Sequence, residues 1–335
     1  MIALDVRGLL EPEPTGPAAY AIPIVEALLR DRPDLYIGWA EGSPPGEATL
    51  VVDLGGRNRL RRELPTAVAV HDTSGLAGLG GLGRRFRLGW VTGRAGLVLA
   101  PSNLIAEAAV RYLRLPDHRV IGARPGLGDT FTRSSRTAAE AIRDRLGLPE
   151  RYFVFVGSIR PRKNLAVLAE AWAAVRGRLG DGIGLVIAGP EAGVRAPTGL
   201  GVVTTGFVPQ DLLPGLLSGA IAYLNSSSYE GCPQGTMEAM ACGCPPVVGR
   251  GTALMEPMRG AGILVDSNDP GQWARAMTVL AGSREERAKL SAECRRLADG
   301  FSARKAAAEL SSSLEAALGE HPNQPSGAAG VGSSR

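Results

Sequence analysis

Residues 229–243 read YEGCPQGTMEAMACG, and the reading of this stretch decides the fold. It holds two carboxylates, Glu230 and Glu238, eight positions apart. Gly231, Pro233 and Gly235 between them mark a tight turn, and from Thr236 onward Met237, Glu238, Ala239, Met240 and Ala241 are good helix formers. Upstream, Ile221–Ser227 (IAYLNSS) is a short apolar run of the kind that forms a buried strand. The unit is therefore strand, glycine-bearing turn and helix, with one acid before the turn and one inside the helix. Free N–H groups and the positive end of the dipole at such a helix start favour anions, phosphate above all. An acid at the turn can face a sugar, and one a turn further on can accept from ribose hydroxyls. A ligand with sugar, diphosphate and ribose in a row matches that order. The plainer alternative is a surface strand–helix turn whose first-turn glutamate offsets the helix dipole.

The length of 335 residues predicts two domains, each able to bury an ordinary core. Apolar residues make up 44% and charged residues 21%, a globular balance. A net charge of +4 is too mild for a dedicated nucleic-acid binder, so no nucleic acid is expected as partner. Four cysteines, Cys232, Cys242, Cys244 and Cys294, lack paired zinc spacing and have only three histidines to help them. They read as reduced thiols. No basic–apolar–small signal pattern opens the chain and no apolar run is long enough to span a bilayer, which predicts a cytoplasmic protein.

The rest of the chain alternates strand and helix. Ile2–Val6 is a first strand, and Thr15-Gly16-Pro17 opens a helix to about Arg30, again a phosphate-friendly turn. Strands follow at Thr49–Leu54, at Thr66–Val70 (ending at His71-Asp72) and at Leu97–Pro101. Ser102 then reads as N-cap of a helix over Leu104–Leu113. A linker is expected near Gly126–Thr132, and Thr137–Leu146 is a short helix. A second alternating half begins with the strand Tyr152–Val156, then GSIRPRKN (Gly157–Asn164) and a helix to about Arg176. Strands at Gly184–Ala188, Val202–Thr204, Pro246–Val248 and Gly262–Val265 follow, and helices at Pro270–Ala281 and from Arg284 to about Leu318 close it. The pattern predicts an α/β architecture of two doubly wound, Rossmann-like domains, 1–130 and 131–318, with a disordered tail at 319–335.

Gly78, Gly80 and Gly83 match G-x-G-x-x-G but sit in a low-complexity loop, away from a strand-to-helix turn near the chain start, so they read as loop. No P-loop motif occurs. Arg57, Arg59, Arg61, Arg62, Arg84, Arg85, Arg87 and Arg94 crowd the first half, with Phe86, Leu88 and Trp90 interleaved in the second cluster. That composition fits peripheral contact with an anionic membrane through Arg84, Arg85 and Arg87, or a lipid-phosphate acceptor; a solvated arginine face is the alternative.

Taken in order, these motifs resemble those of retaining GT-B glycosyltransferases of the group 1 type, glycosyltransferase family 4, over roughly residues 1–315. DVRGLL and TGPAAY look like the family's N-terminal glycine turn, VAVHDTS its strand-end His-Asp, and VLAPSNLIAEAA its strand–serine–helix. FVGSIRPRKNLAVLAEAW resembles the diphosphate clamp, TTGFV the base-contacting loop, and YEGCPQGTMEAMACGCPPVV the double-glutamate signature. Cys232 stands where the family usually has an aromatic residue. The resemblance implies that Glu238 binds ribose hydroxyls, that Glu230 binds the donor sugar, and that Lys163 with Arg160 or Arg162 neutralises the leaving diphosphate. It implies a cradle from Gly16, Gly157, Gln234, Gly235 and Thr236, base contacts from Gly206, Phe207 and Val208, and His71 on the sugar and acceptor side. The implied activity is retaining transfer of a hexose, mannose or glucose type, from UDP-, GDP- or another NDP-sugar to a glycan, lipid-linked or small-molecule acceptor. No metal and no further cofactor are expected. The alternatives are a nucleotide-sugar 2-epimerase of the same fold and a catalytically silent, glycosyltransferase-like binding subunit.

Overall fold

The computed structural model of the chain describes residues 1–7, 9, 16–40, 43–55, 64–73 and 89–320. Six short strands build the first sheet: Ile2–Asp5 (β1), Tyr36–Trp39 (β2), Leu50–Asp53 (β3), Thr66–Ala69 (β4), Leu97–Ala100 (β5) and Val120–Gly122 (β6). All pair in parallel, in the order β2-β1-β3-β4-β5-β6. Gly16–Asp31 (α1) and Asn103–Leu113 (α2) are among its helices. The strands IALD, LVVD and TAVA are buried along their whole length, as a parallel sheet covered on both faces requires. The sequence reading misses β2 and β6. Both are edge strands of four and three residues, too short to carry a periodic signal.

The second sheet runs β12-β11-β10-β7-β8-β9, again all parallel. Its strands are Arg151–Val156 (β7), Ile183–Ala188 (β8), Val202–Gly206 (β9), Ala222–Asn225 (β10), Pro246–Gly249 (β11) and Ile263–Val265 (β12). The helices of this half are Arg136–Arg145 (α3), Leu165–Leu179 (α4), Leu213–Gly219 (α5), Gln234–Ala241 (α6), Pro270–Gly282 (α7) and Arg284–Ala298 (α8). The two-residue period of the strands splits them between two cores. Phe153, Phe155, Leu185 and Ile187 pack under α4 and α7 with Trp172 and Trp273, while Tyr152, Val154, Val186 and Ala188 face α5 and α6 with Leu216 and Met237.

One expectation is corrected. The stretch from Arg284 to about Leu318 is two helices, α8 and Ala303–Glu320 (α9), broken around Gly300 and Phe301. The second of them leaves the second unit: Ala306, Ala307, Leu310 and Leu314 are buried among Tyr20, Ile24, Leu28 and Tyr36 of the first. Leu290 and Cys294 of α8 pack into the second unit, whereas the apolar stripe of α9 packs on α1 of the first. The chain therefore crosses between units twice, and the two crossings bond to each other. Leu127 N–H donates to Phe301 O at 2.7 Å and Ala303 N–H to Leu127 O at 3.0 Å. At this crossing Gly126 lies so close to the Cα of Ala303 that a Cβ could not fit. Residues 321–335, most of the predicted tail, lie outside the described residues, as do the glycine loop at 78–83 and Arg57, Arg59, Arg61, Arg62, Arg84, Arg85 and Arg87. Among the described residues no helix is long and apolar enough to cross a membrane.

In a doubly wound sheet, ligands sit outside the carboxyl ends of the strands where the strand order reverses. That point lies between β7 and β10 in the second sheet and between β1 and β3 in the first. The loops after β7 and β10 are GSIRPRKN and SSSYEGCP.

Candidate active site

Gly157 ends β7 with φ of 144°, a conformation other residues rarely adopt, and a one-turn helix at Pro161–Lys163 with Asn164 at φ 52° aims Lys163 inward. Lys163 is buried, and its ammonium meets Oε1 of Glu230. The same oxygen lies 2.6 Å from Arg162 Nη1 and 3.0 Å from Ser227 Oγ. All three donors converge on Oε1, so Oε2 takes no hydrogen bond from the described residues. Burial pushes the Glu230 carboxyl up, but Lys163 and Arg162 outweigh it and hold it below the usual range. Burial pulls the Lys163 ammonium down against the attraction of Glu230, with Arg162 adding to the fall. Two cations on one carboxylate leave a net positive charge in a largely dry place, an arrangement that favours an anion. Arg162 is committed to Glu230 and to Tyr229 O, the latter at 3.0 Å, whereas Arg160 is exposed.

Helix α6 starts behind Pro233 with no side-chain cap. Glu238 is buried, with Gln234 Nε2 donating to its Oε1 at 3.0 Å; burial, opposed by that bond, pushes the carboxyl up to about 7. Gln234 Oε1 and Thr236 Oγ1 are buried without any hydrogen-bond partner among the described residues. Buried polar groups are nearly always paired, so two orphans within one turn mark an incomplete cluster. Gly235 has a packing reason: a Cβ there would stand 2.6 Å from the Tyr223 hydroxyl. That hydroxyl accepts from Asn225 Nδ2 at 2.8 Å, and Asn225 Oδ1 lies 2.5 Å from Ser227 Oγ, so a buried chain links Tyr223 to Glu230. Sequence reasoning passed over Tyr223, Asn225 and Ser227. Their signal was a polar run closing an apolar strand, NSSS after IAYL.

The first unit contributes the opposite wall. His71 follows β4; its Nε2 lies 2.7 Å from Leu54 O and its ring meets Tyr20 edge-on at 4.9 Å. Nε2 must carry the proton to donate to a carbonyl, and burial lowers the imidazole pKa, so Nδ1 is left as an acceptor. Cys232 packs across onto the core of the first unit, and burial pushes its thiol up to about 12. Gly16 is the first residue of α1; the turn before it, residues 10–15, lies outside the described residues. Gly206 ends β9, two strands from β7, and Phe207 beyond it is half exposed. Val208 is buried in the core with Leu212 and Leu216. Direct contacts thus join Lys163, Arg162 and Glu230, and separately Gln234 and Glu238. Among the described residues no three His, Cys, Asp or Glu side chains are grouped to hold a metal ion.

The chain is 35% identical over 199 residues to the D-inositol 3-phosphate glycosyltransferase of Salinispora arenicola, covering 53% of this chain and 43% of that one. It is 26% identical over 188 residues to the O-antigen chain mannosyltransferase B of Escherichia coli, 52% of this chain and 49% of that one. The chain thus spans about half the length of the curated relatives it matches. Among solved structures it resembles HepE of Anabaena in complex with UDP-glucose, with a TM-score of 0.76 at 16% identity over 94% of this chain and 99% of that one. It also resembles the sucrose-phosphate synthase of Thermosynechococcus elongatus, with a TM-score of 0.77 at 16% identity over 95% and 99%. Two facing parallel sheets with these neighbours make the fold GT-B. Within it, residues 150–283 match the family described as glycosyl transferases group 1.

Proposed function

We propose that the protein is a retaining hexosyltransferase of glycosyltransferase family 4. It moves a mannose- or glucose-type sugar from a nucleotide-diphosphate donor to a hydroxyl of a glycan, glycolipid or small-molecule acceptor, without a divalent metal. The carrying observation is the incomplete buried cluster at the start of α6: Glu238 with the orphaned Gln234 Oε1 and Thr236 Oγ1, beside a net positive Glu230–Lys163–Arg162 group. A ligand with ribose hydroxyls at one end and a diphosphate next to them would complete it. Names of relatives, a sugar transferase to inositol phosphate and a mannosyltransferase, point the same way.

In this reading Glu238 accepts from the ribose and Glu230 Oε2 from the donor sugar. Lys163 neutralises the diphosphate, and exposed Arg160 is the second cation, because Arg162 is spent on Glu230. Backbone N–H groups at Gly16, Gly157 and Gln234–Thr236 complete the cradle, Gly206 and Phe207 flank the base, and His71 Nδ1 faces the sugar. The bond from the anomeric carbon to the diphosphate breaks as the acceptor hydroxyl attacks from the same face and passes its proton to the departing phosphate oxygen, and charge gathers where the cations stand. Incubating the full chain with UDP-glucose and GDP-mannose and a soluble polyol acceptor should yield product whose anomeric configuration, read by NMR, equals that of the donor. Transfer should survive EDTA. An inverted product, or activity lost with EDTA and restored by Mg²⁺, would overturn this part of the reading.

The protein is placed at the cytoplasmic face of a membrane in this proposal. Trp90 is 55% exposed with Arg94 stacked on it at 4.5 Å, directly after the Arg84, Arg85 and Arg87 cluster. Sedimentation with anionic vesicles should fall steeply as salt shortens the screening length to ~3 Å near 1 M. Equal sedimentation with neutral vesicles would leave the arginines a solvated face.

A further inference from the structure

Glu230 occupies the middle of a tripeptide whose two neighbours are held by the other unit. Tyr229 reaches across the cleft: its hydroxyl accepts the Thr73 N–H at 3.1 Å and lies 2.5 Å from Thr73 Oγ1. On the other side, Gly231 O accepts from Ser102 Oγ at 2.6 Å. Gly231 itself faces His71 O and Ile105; a Cβ would overlap the carbonyl and stand 2.8 Å from Ile105 Cδ1. No left-handed backbone calls for glycine at this position, since Gly231 is absent from the positive-φ residues. What requires glycine there is the approach of the two units.

The centre of the tripeptide belongs to the second unit. Ser228 N–H donates to Arg162 O at 2.9 Å, Ala253 N–H to Glu230 O at 3.0 Å, and Lys163, Arg162 and Ser227 hold the Glu230 carboxylate. Three residues beyond Ala253, Glu256 accepts the Asn103 and Leu104 N–H groups at 3.0 Å each, at the same start of α2 that Ser102 caps. Beside the loop the units also meet through apolar packing: Tyr229 belongs to one apolar cluster with Val68, Val70 and Ile105 of the first unit and Cys232 packs on its other core, while a cavity of about 290 Å³ lies nearby, lined by Asn103, Pro233, Met237, Glu256 and Phe301 among others. Apolar packing and discrete polar bonds therefore join the units at this place together. Tyr229 and Thr73 are both buried, so each unmade bond would be felt.

We infer that Tyr229 and Thr73 are positioning residues, a cross-cleft latch that sets the Glu230 carboxylate on Lys163 and Arg162 only when the two units meet. The inference rests on the function proposed above for its catalytic consequence. With the latch open, the loop keeps its ties to Arg162 and to Ser102 but loses the anchor at Tyr229 that fixes the direction of the tripeptide. The proposed nucleotide contacts on α6 are untouched, since Gln234, Thr236 and Glu238 make no bond to the first unit among the described residues.

The test is Tyr229→Phe, Thr73→Val and the double variant in the full chain. Hydrogen exchange should quicken at the amides of Ser228 and Ala253 in each variant, with strand β8 unchanged. Transfer kcat should fall about tenfold, the scale of one buried hydrogen bond, while calorimetric affinity for UDP or GDP stays at the wild-type value. The double variant should be no worse than Tyr229→Phe, which already removes both bonds to Thr73, whereas Thr73→Val alone should cost less, because its backbone N–H still donates to the Tyr229 hydroxyl. Unchanged exchange at Ser228 and Ala253, an unchanged kcat, or additive losses would each overturn the latch. Wild-type protein that binds no nucleotide diphosphate and transfers no sugar would overturn the proposed function instead. The exchange comparison would still decide whether the first unit holds the loop.

Discussion

Lys163→Ala is expected to lower kcat for sugar transfer by about a hundred- to a thousandfold, or about 2.7–4 kcal/mol, the usual cost of one preorganised donor lost from a developing anion. The ammonium is fixed before reaction: it is buried, set on a one-turn helix behind β7 and held by Glu230. It need not reorganise when charge moves onto the leaving diphosphate. Its contribution is larger in the transition state than in the bound donor, so the loss belongs in kcat and kcat/KM together rather than in KM. A second effect follows from burial. Removing Lys163 leaves the Glu230 carboxylate with Arg162 and Ser227 alone, and half-broken buried ion pairs cost on the order of 3–5 kcal/mol of stability. Arg162 remains, which places the loss near the lower end. Turnover is therefore to be measured well below the variant's melting temperature, with folding checked by circular dichroism. A change confined to KM would refute the assigned role while leaving the fold untouched.

Glu238→Gln should act on stability and on binding in opposite directions. The Glu238 carboxyl is raised from 4.5 to about 7 by burial, against a single bond from Gln234. A raised carboxyl stabilises the folded state fully below its unfolded pKa, and that contribution is lost as pH rises through the folded pKa. In the unliganded protein the loss runs from about pH 4.5 to about pH 7 and amounts to about 3 kcal/mol. Glutamine keeps the hydrogen bond and cannot ionise, so the variant should match wild type in melting temperature near pH 5 and exceed it near pH 8. Donor KM should rise in the same variant, because ribose hydroxyls lose a charged acceptor. A melting-temperature difference that does not change with pH would show that Glu238 titrates elsewhere. Gain of stability with loss of binding is the mark of a group kept for its ligand.

Much of the molecule was legible before folding. Strand β10, the glycine turn and α6 were read almost to the residue from IAYLNSS and YEGCPQGTMEAMA, and Ser102 was named as N-cap of α2, where its hydroxyl does accept the Ile105 N–H. Such features are set by propensity, period and capping over a dozen neighbouring residues, and parallel strands buried on both faces are apolar enough to stand out. Where the signal was short it failed: YIGW and VIG are edge strands without a pattern. The closing helix was read as a helix but assigned to the wrong unit, because its apolar stripe fits any open face and only packing chooses α1 over α8.

The residue types of the candidate site were local knowledge; their partnerships were not. The Lys163–Glu230 pair spans 67 positions and Tyr229–Thr73 spans 156. Neither separation leaves a trace in periodicity. The glycine of the tripeptide reads as a turn residue in the sequence, yet what excludes a side chain is His71 O arriving from the other unit. The sequence by itself determined two doubly wound units, the strand ends that carry the acids and cations, and the phosphate-friendly start of α6. The tertiary structure decided which cation meets which acid, which arginine stays exposed, and that both units hold the loop of Glu230. The reason is physical: secondary structure follows from bonds and propensities between near neighbours, whereas pairing across a cleft follows from which buried faces and polar groups can satisfy one another when the chain closes.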